Sequence, residues 1–296
     1  MLPPSPLEPL LLPEITARGL RCFVKRDDRY AFEPGSPLQG NKVRKLSPLL
    51  RRSDLAGRTV VTFGGAYSNH VAALAAAGER FGFRTSFLIR GEPVRNPVLD
   101  FAAARGGELR FLDRTTYRLR DDAATLRQLV PDPDHIIVPE GGTSTASLPL
   151  TGELFHETVR QLGYAPDYFC LSAGTGGTAA GVVAAAAGTT THVEVFPALR
   201  GEWMAETIRR QMGNARAEFS VFSRYAGRGY AKFPAHWQLH RPAGALATRA
   251  DIGVAGLPPL EPVYTAKLFT GVLDRVSAGA YPSGAVIVVA HTGGIY

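Results

Sequence analysis

From about residue 59 onward, hydrophobic and polar positions repeat one unit: a short apolar run, a Gly, Pro or polar break, then an Ala-rich stretch with apolar positions at helical spacing. The apolar runs predict strands at Thr59–Phe63, Thr85–Ile89, Leu109–Leu112, His135–Val138, Tyr168–Ser172, His192–Phe196 and Ala285–Ala290. The helical spacing predicts helices at Ser68–Phe81, Pro97–Arg105, Arg118–Leu129, Leu148–Leu162, Thr178–Ala187 and Pro262–Val276. Strands alternating with helices imply an α/β fold with a mostly parallel sheet covered on both faces. Residues 221–260, rich in Gly and Pro, are the least regular part. A length of 296 residues fits one large domain or two closely joined ones.

In an open α/β sheet, ligands bind beyond the C-terminal ends of the strands, where turns lead into helix N-termini. Four glycine pairs or clusters fall after strands: Gly64-Gly65, Gly141-Gly142, Gly174–Gly177 and Gly293-Gly294. One such turn is ordinary, whereas four imply backbone wrapped around a flat or phosphorylated ligand. The loop from Ser172 to Thr178 follows a strand and opens a helix, an arrangement that turns backbone N–H groups on an anion. Gly174, Gly176 and Ala179 also fit the dinucleotide fingerprint, with Glu194 at the position of its acidic residue. That NAD(P)-binding reading leaves the hydroxyls of Thr175 and Thr178 and the segment Gly40–Leu46 unexplained.

Composition adds one asymmetry. Only five of the 33 basic residues are lysines, Lys25, Lys42, Lys45, Lys232 and Lys267, so 28 are arginines. Lys42 lies at an expected helix start, with Asn41 as its N-cap. The positive end of a helix disfavours a cation by a few tenths of a kcal/mol or more, roughly. Desolvated there, a lysine becomes a usable amine nucleophile for a Schiff base with an aldehyde cofactor. On this segment alone, an exposed surface lysine is the simpler reading.

Six segments shift the balance toward the Schiff-base reading, with the NAD(P)-binding reading kept as the alternative. Lys25–Asp28, Gly40–Leu46, Gly64–His70, the 172–178 loop, Pro262–Tyr264 and His291–Gly294 occur in the order seen in the 1-aminocyclopropane-1-carboxylate deaminase/D-cysteine desulfhydrase family, which the chain resembles over nearly its whole length. The resemblance implies a fold type II pyridoxal 5′-phosphate (PLP) enzyme. Two open, twisted, mostly parallel sheets would be covered by helices. Residues 1–51 and 139–296 would form a large PLP-binding domain and 52–138 a small one. It further implies that Lys42 holds PLP as a Schiff base and then acts as acid and base. Asn69 would meet the phenolic oxygen, Gly174, Thr175, Gly176, Gly177 and Thr178 the phosphate, and Thr292 the pyridine nitrogen. The substrate carboxylate would fall to Ser68, Asn69 and His70, with Tyr67 reshaping the pocket. Ser68 and Tyr264 would be the further catalytic side chains. A homodimer is the family's expected assembly.

The sequence departs from that pattern at Val289, where the deaminases carry a second tyrosine. This disfavours cyclopropane ring opening and favours α,β-elimination from a small β-substituted amino acid to a 2-oxo acid and ammonia. Deamination of the cyclopropane substrate and β-replacement are the alternatives. Tyr67 replaces the usual Gln, Pro48 is expected to kink the Lys42 helix, and the chain stops two residues after Gly294.

The remaining signals are weaker. A formal charge of +7 would suit nucleic acid, but acids interleave the bases, so an anionic small molecule is the simpler partner. Neither a membrane span nor a signal peptide is visible, giving a cytoplasmic expectation. Cys22 and Cys170 read as core residues, and Arg44 and Lys45 as structural or surface charges. The i,i+4 pair His236 and His240 lacks a Glu partner and is a poor metal site. No metal is expected.

Overall fold

The apolar runs form strands of two sheets in the computed structural model, which describes residues 2–227 and 256–294. In chain order the first elements are β1 Leu7–Pro9, α1 Pro13–Thr16, β2 Arg21–Lys25, α2 Asn41–Leu50, β3 Thr59–Gly65, α3 Asn69–Phe81, β4 Arg84–Arg90 and α4 Pro97–Ala104. Then come β5 Glu108–Leu112, α5 Arg114–Arg118, α6 Ala123–Leu129, β6 Ile136–Val138, α7 Leu148–Leu162, β7 Tyr168–Ala173 and α8 Gly177–Ala185. The rest are β8 His192–Pro197, α9 Trp203–Met212, β9 Phe219–Val221, α10 Thr265–Ser277 and β10 Val286–Ala290.

Six strands form one sheet in the order β1-β2-β10-β7-β8-β9, parallel except for β1. The other sheet, β5-β4-β3-β6, is wholly parallel. Every residue of β10 is buried, as a central parallel strand requires. Its alternate residues serve two cores: Ile287 and Val289 pack with Cys22, Cys170 and Phe269, while Val288 and Ala290 pack with Phe155, Phe169 and Val183. Val60, Phe87 and Ile89 fill one face of the four-stranded sheet, and Val61, Phe63 and Leu88 the other.

α2 is tied to both halves. Val43, Leu46 and Leu49 join the core built on Val60 and Leu74. Arg44 points instead to the larger sheet, where its guanidinium donates to Asp27 at 2.7 Å and to both Glu157 carboxylate oxygens at 2.9 Å. Lys25 completes this buried network, 3.0 Å from Glu157 and donating to the Ser5 carbonyl at 2.6 Å. Two cations face two carboxylates, so the buried charges balance.

Several sequence expectations are corrected. The helix expected at Arg118–Leu129 begins only at Ala123, because Asp122 caps a new N-terminus there, and Arg118 ends a separate short helix that Asp113 caps. α10 starts at Thr265, since the Glu261 carboxylate accepts from the Val263 and Thr265 N–H groups and turns the chain there. Asn41 is the first helical residue rather than the N-cap, which is Gly40. α2 continues through Pro48 to Leu50. β1, α1, β2, α9 and β9 were not anticipated as elements. His236, His240 and Lys232 lie outside the described residues. Among the described residues no helix is long and apolar enough to cross a membrane, and no cluster of His, Cys, Asp or Glu could hold a metal.

Candidate active site

Gly40 sets the start of α2. Its φ of 58° is strained for any L side chain, and the Thr292 carbonyl occupies the space a Cβ would need. The Asn41 N–H donates to that carbonyl at 3.2 Å, which locks the start of α2 to the segment after β10. Lys42 is thereby held on the wall of a cleft of about 520 Å³. The C-terminal ends of β3, β6, β7 and β10 open on this cleft, the edge where parallel sheets bind ligands.

The Lys42 Nζ donates to Asn41 Oδ1 at 2.9 Å, and Asn41 Nδ2 donates to Thr178 Oγ1 at 3.1 Å. Burial lowers the Lys42 ammonium to about 8 against the opposing charge of Glu261. An appreciable fraction of the amine is therefore unprotonated near neutral pH. One turn further along α2, Lys45 Nζ donates to Thr143 Oγ1 at 3.0 Å and Thr175 Oγ1 at 3.3 Å. The two hydroxyls are 2.8 Å apart. Burial, and then the charge of Lys42, hold Lys45 well below the ordinary lysine range. An anion arriving here would restore its charge.

In composition and shape this part of the cleft suits a phosphate. Gly174 and Gly176 line it, and a Cβ on Gly176 would press on Thr207 and Met204 at 3.2 and 3.4 Å. The first N–H groups of α8 open from the same loop. A hydroxyl-and-ammonium cluster beside a helix N-terminus, with an amine nucleophile one helical turn away, fits an aldehyde cofactor that carries a phosphate. Thr292, buried on the cleft wall, offers a neutral hydroxyl rather than a charge.

The opposite wall is the start of α3. Ser68 caps it, its Oγ accepting from the His70 N–H at 3.3 Å. The Thr62 hydroxyl donates to the Val138 carbonyl at 2.7 Å, so toward His70 it accepts, and the ring proton is on Nε2. Burial, followed by the charges of Lys42 and Lys45, keeps that imidazole neutral, well below its ordinary pKa. At this end of α3 the Ser68 N–H goes to the Gly65 carbonyl and the His70 N–H to Ser68 Oγ, which leaves the Asn69 N–H, beside a cleft holding two lysines, to meet a substrate carboxylate.

Of the side chains anticipated from sequence, Lys42, Ser68, Asn69 and His70 line the cleft, as do Tyr264 and Thr292. So do Gly174, Thr175, Gly176 and Thr178. Two do not. Tyr67 stands outside the cleft, 45% exposed, because it occupies the turn before the Ser68 cap. Gly177 meets the side chain of Thr143 instead of the cavity, and its lack of a Cβ lets that contact close. Glu194, the acid of the dinucleotide reading, is buried against Arg275 and Tyr281 at 2.7 Å each and is not available to a ribose. Val289 is packed in the core.

Lys45 is the main residue missed: it is buried and lines the cleft, where a structural or surface charge was expected. Its spacing of three from Lys42 was the available signal, since such residues share a helix face. Thr143 follows the Gly141-Gly142 turn and was legible in the same way. Arg90, Arg120 and Arg210 also line the cleft and had no sequence signal.

Comparison with known proteins agrees with this geometry. The chain is 28% identical to a 1-aminocyclopropane-1-carboxylate deaminase of Burkholderia vietnamiensis, over 99% of this chain and 92% of that one. A crystal structure described as an ACC deaminase homologue superimposes with a TM-score of 0.74 at 23% identity, covering 98% of this chain and 89% of the other. An L-serine ammonia-lyase from Rhizomucor miehei shares the fold at a TM-score of 0.63 and 13% identity, with 99% and 94% covered. Residues 3–232 match the profile of the pyridoxal-phosphate dependent enzymes, the family to which this chain belongs.

Proposed function

We propose that the protein is a lyase or deaminase of small amino acids, eliminating a β-substituent to leave a 2-oxo acid and ammonia. The observation that carries this reading is the order of groups along one cleft: a phosphate pocket at Lys45, Thr143 and Thr175, the amine of Lys42, then the N-terminus of α3. When bound, PLP supplies the sink for the electron pair released at the substrate's α-carbon. Lys42 is the side chain that would hold the cofactor's aldehyde carbon. Freed by the substrate amine, Lys42 Nζ would take the proton from Cα. The start of α3 at Ser68–His70 would orient the carboxylate. Asn69 and Thr292 would address the phenolic oxygen and ring nitrogen, Gly174–Thr178 the phosphate, and Tyr264 would supply a hydroxyl over the reacting atoms.

A second reading, deamination of 1-aminocyclopropane-1-carboxylate, is favoured by the names of the relatives. Against it, Val289 is a core residue, and no second tyrosine reaches the cleft from that position. We also read 52–138 as a small domain beside a large one of 1–51 and 139–296, and the active unit as a cytoplasmic homodimer. Sedimentation would check the assembly.

The decisive test pairs spectrum with turnover. Protein supplied with PLP should absorb at roughly 410–430 nm, as a lysine-bound cofactor does. Lys42→Ala should lose that band, bind PLP only reversibly and release no ammonia. Retained activity in that variant would overturn the assignment. β-Chloroalanine and D-cysteine should yield pyruvate, whereas 2-oxobutyrate from the cyclopropane substrate would favour the second reading.

A further inference from the structure

The cleft contains charged groups that neither the cofactor nor an α-amino acid head would use. Arg90, Arg120, Asp121 and Glu140 line it from the C-terminal edge of the four-stranded sheet, and Arg210 lines it from α9. Their pairing is unequal. Arg120 engages both carboxylates, Glu140 at 3.0 Å and Asp121 at 3.8 Å. Glu140 is fixed further by the Tyr117 hydroxyl, which donates to it at 2.8 Å. Arg90 and Arg210 are exposed to the cleft and form no salt bridge among the described residues. Arg120 is thereby committed, its Nη2 to the carboxylates and its Nη1 donating to the Tyr117 carbonyl at 3.2 Å.

These groups are not spare cofactor ligands, since the phosphate pocket already has Lys45, two threonine hydroxyls and the α8 N-terminus. The α-carboxylate in turn has the Asn69 N–H at the head of α3, which no described residue engages. Uncompensated arginines in a cleft focus an anion. We infer that the substrate carries a second acidic group on its β-substituent, and that Arg90 and Arg210 receive it.

This inference rests on the elimination reading. For an O-substituted serine the Cα proton leaves to Lys42. The Cβ–O bond breaks with its electron pair departing on the oxygen of the acidic leaving group. The enamine so released takes a proton from water at Cβ to become the imine, and water then hydrolyses its C=N bond, giving pyruvate and ammonia.

The test uses matched esters, in both enantiomers, on the PLP-loaded enzyme: O-acetylserine as the neutral arm, O-succinylserine as the carboxylate arm and O-phosphoserine as the phosphate arm. The kcat/KM for at least one acidic arm should exceed the neutral arm by about tenfold or more, the scale of one charge-assisted hydrogen bond. Arg90→Gln and Arg210→Gln should each collapse that ratio, and added salt should erode it. Whichever acidic arm is preferred identifies the anion. Equal rates for acidic and neutral esters would overturn the inference. So would an Arg90→Gln variant that slows every arm equally, since Arg90 would then serve the α-carboxylate. A second measurement does not depend on turnover. Calorimetry should show 2-amino-3-phosphonopropanoate binding about tenfold tighter than alanine, with the advantage lost in both variants. If no ester gives pyruvate, the elimination reading fails and the calorimetric ratio alone decides the anion site.

Discussion

Lys42 and Lys45 share one face of α2, and burial lowers both, yet their surroundings give them different work. Lys42 is beside an amide and opens to the cleft, whereas Lys45 is clasped by two hydroxyls. In the proposed chemistry the neutral amine of Lys42 is the nucleophile, and its fraction grows as pH rises through about 8. The rate of PLP uptake by the apoprotein, followed by absorbance, should therefore climb to about that pH and level above it. Lys45→Gln removes the cation at the phosphate end, so PLP affinity should fall by about tenfold or more in a fluorescence titration. The same two residues show what sequence could reveal. Lys42 was legible through the motif around it, and Lys45 through its spacing. Tyr67 was misplaced because a single turn residue carries no periodicity to say which way it faces. The other described lysines are internal as well: Lys25 meets Glu157, and Lys267 donates to the carbonyls of Ala198 and Ala226.

α2 has three faces with three tasks: apolar residues into the Val60 core, lysines into the cleft, and Arg44 into the Asp27–Glu157 network. Arg44→Met would strip the buried Asp27 of its ion pair and leave Glu157 with Lys25 alone, and unfolding in denaturant should show a loss of roughly 3–5 kcal/mol. The pH dependence has a definite sign. Burial would raise Glu157, but the hydrogen bond and charge of Arg44 outweigh it and hold the carboxyl below its ordinary value. A depressed carboxylate stabilises the fold above its unfolded pKa, and that contribution disappears as pH falls through the folded value. The stability gap between wild type and Arg44→Met should therefore narrow in acid. At this scale the sequence was a good guide where a long periodic helix met clear stops. The bounds of α7 were read as they stand, ending at the left-handed Gly163. It failed where polar side chains broke a helical pattern from within, as Asp122 does, and where strands were as short as β1 and β9.

Across the whole molecule, the two cysteines report on integrity. Cys22 and Cys170 belong to one core cluster, and burial pushes the Cys22 thiol up to about 12 and Cys170 well above its usual range. Neither should react with Ellman's reagent in the native protein, and their labelling should appear together with global unfolding. The sheet order has a consequence for how the enzyme is made. β10, the latest described strand in sequence, lies between β2 and β7, while the four-stranded sheet draws only on residues 59–138. During synthesis that smaller sheet can close early, but the larger one must wait for Val286–Ala290 to emerge from the ribosome. Thr292 arrives just behind them, and its carbonyl is what seats Asn41 at the head of the Lys42 helix. Until Val286–Thr292 have been made, a nascent chain therefore carries Lys42 at the head of a helix whose seat is unfinished.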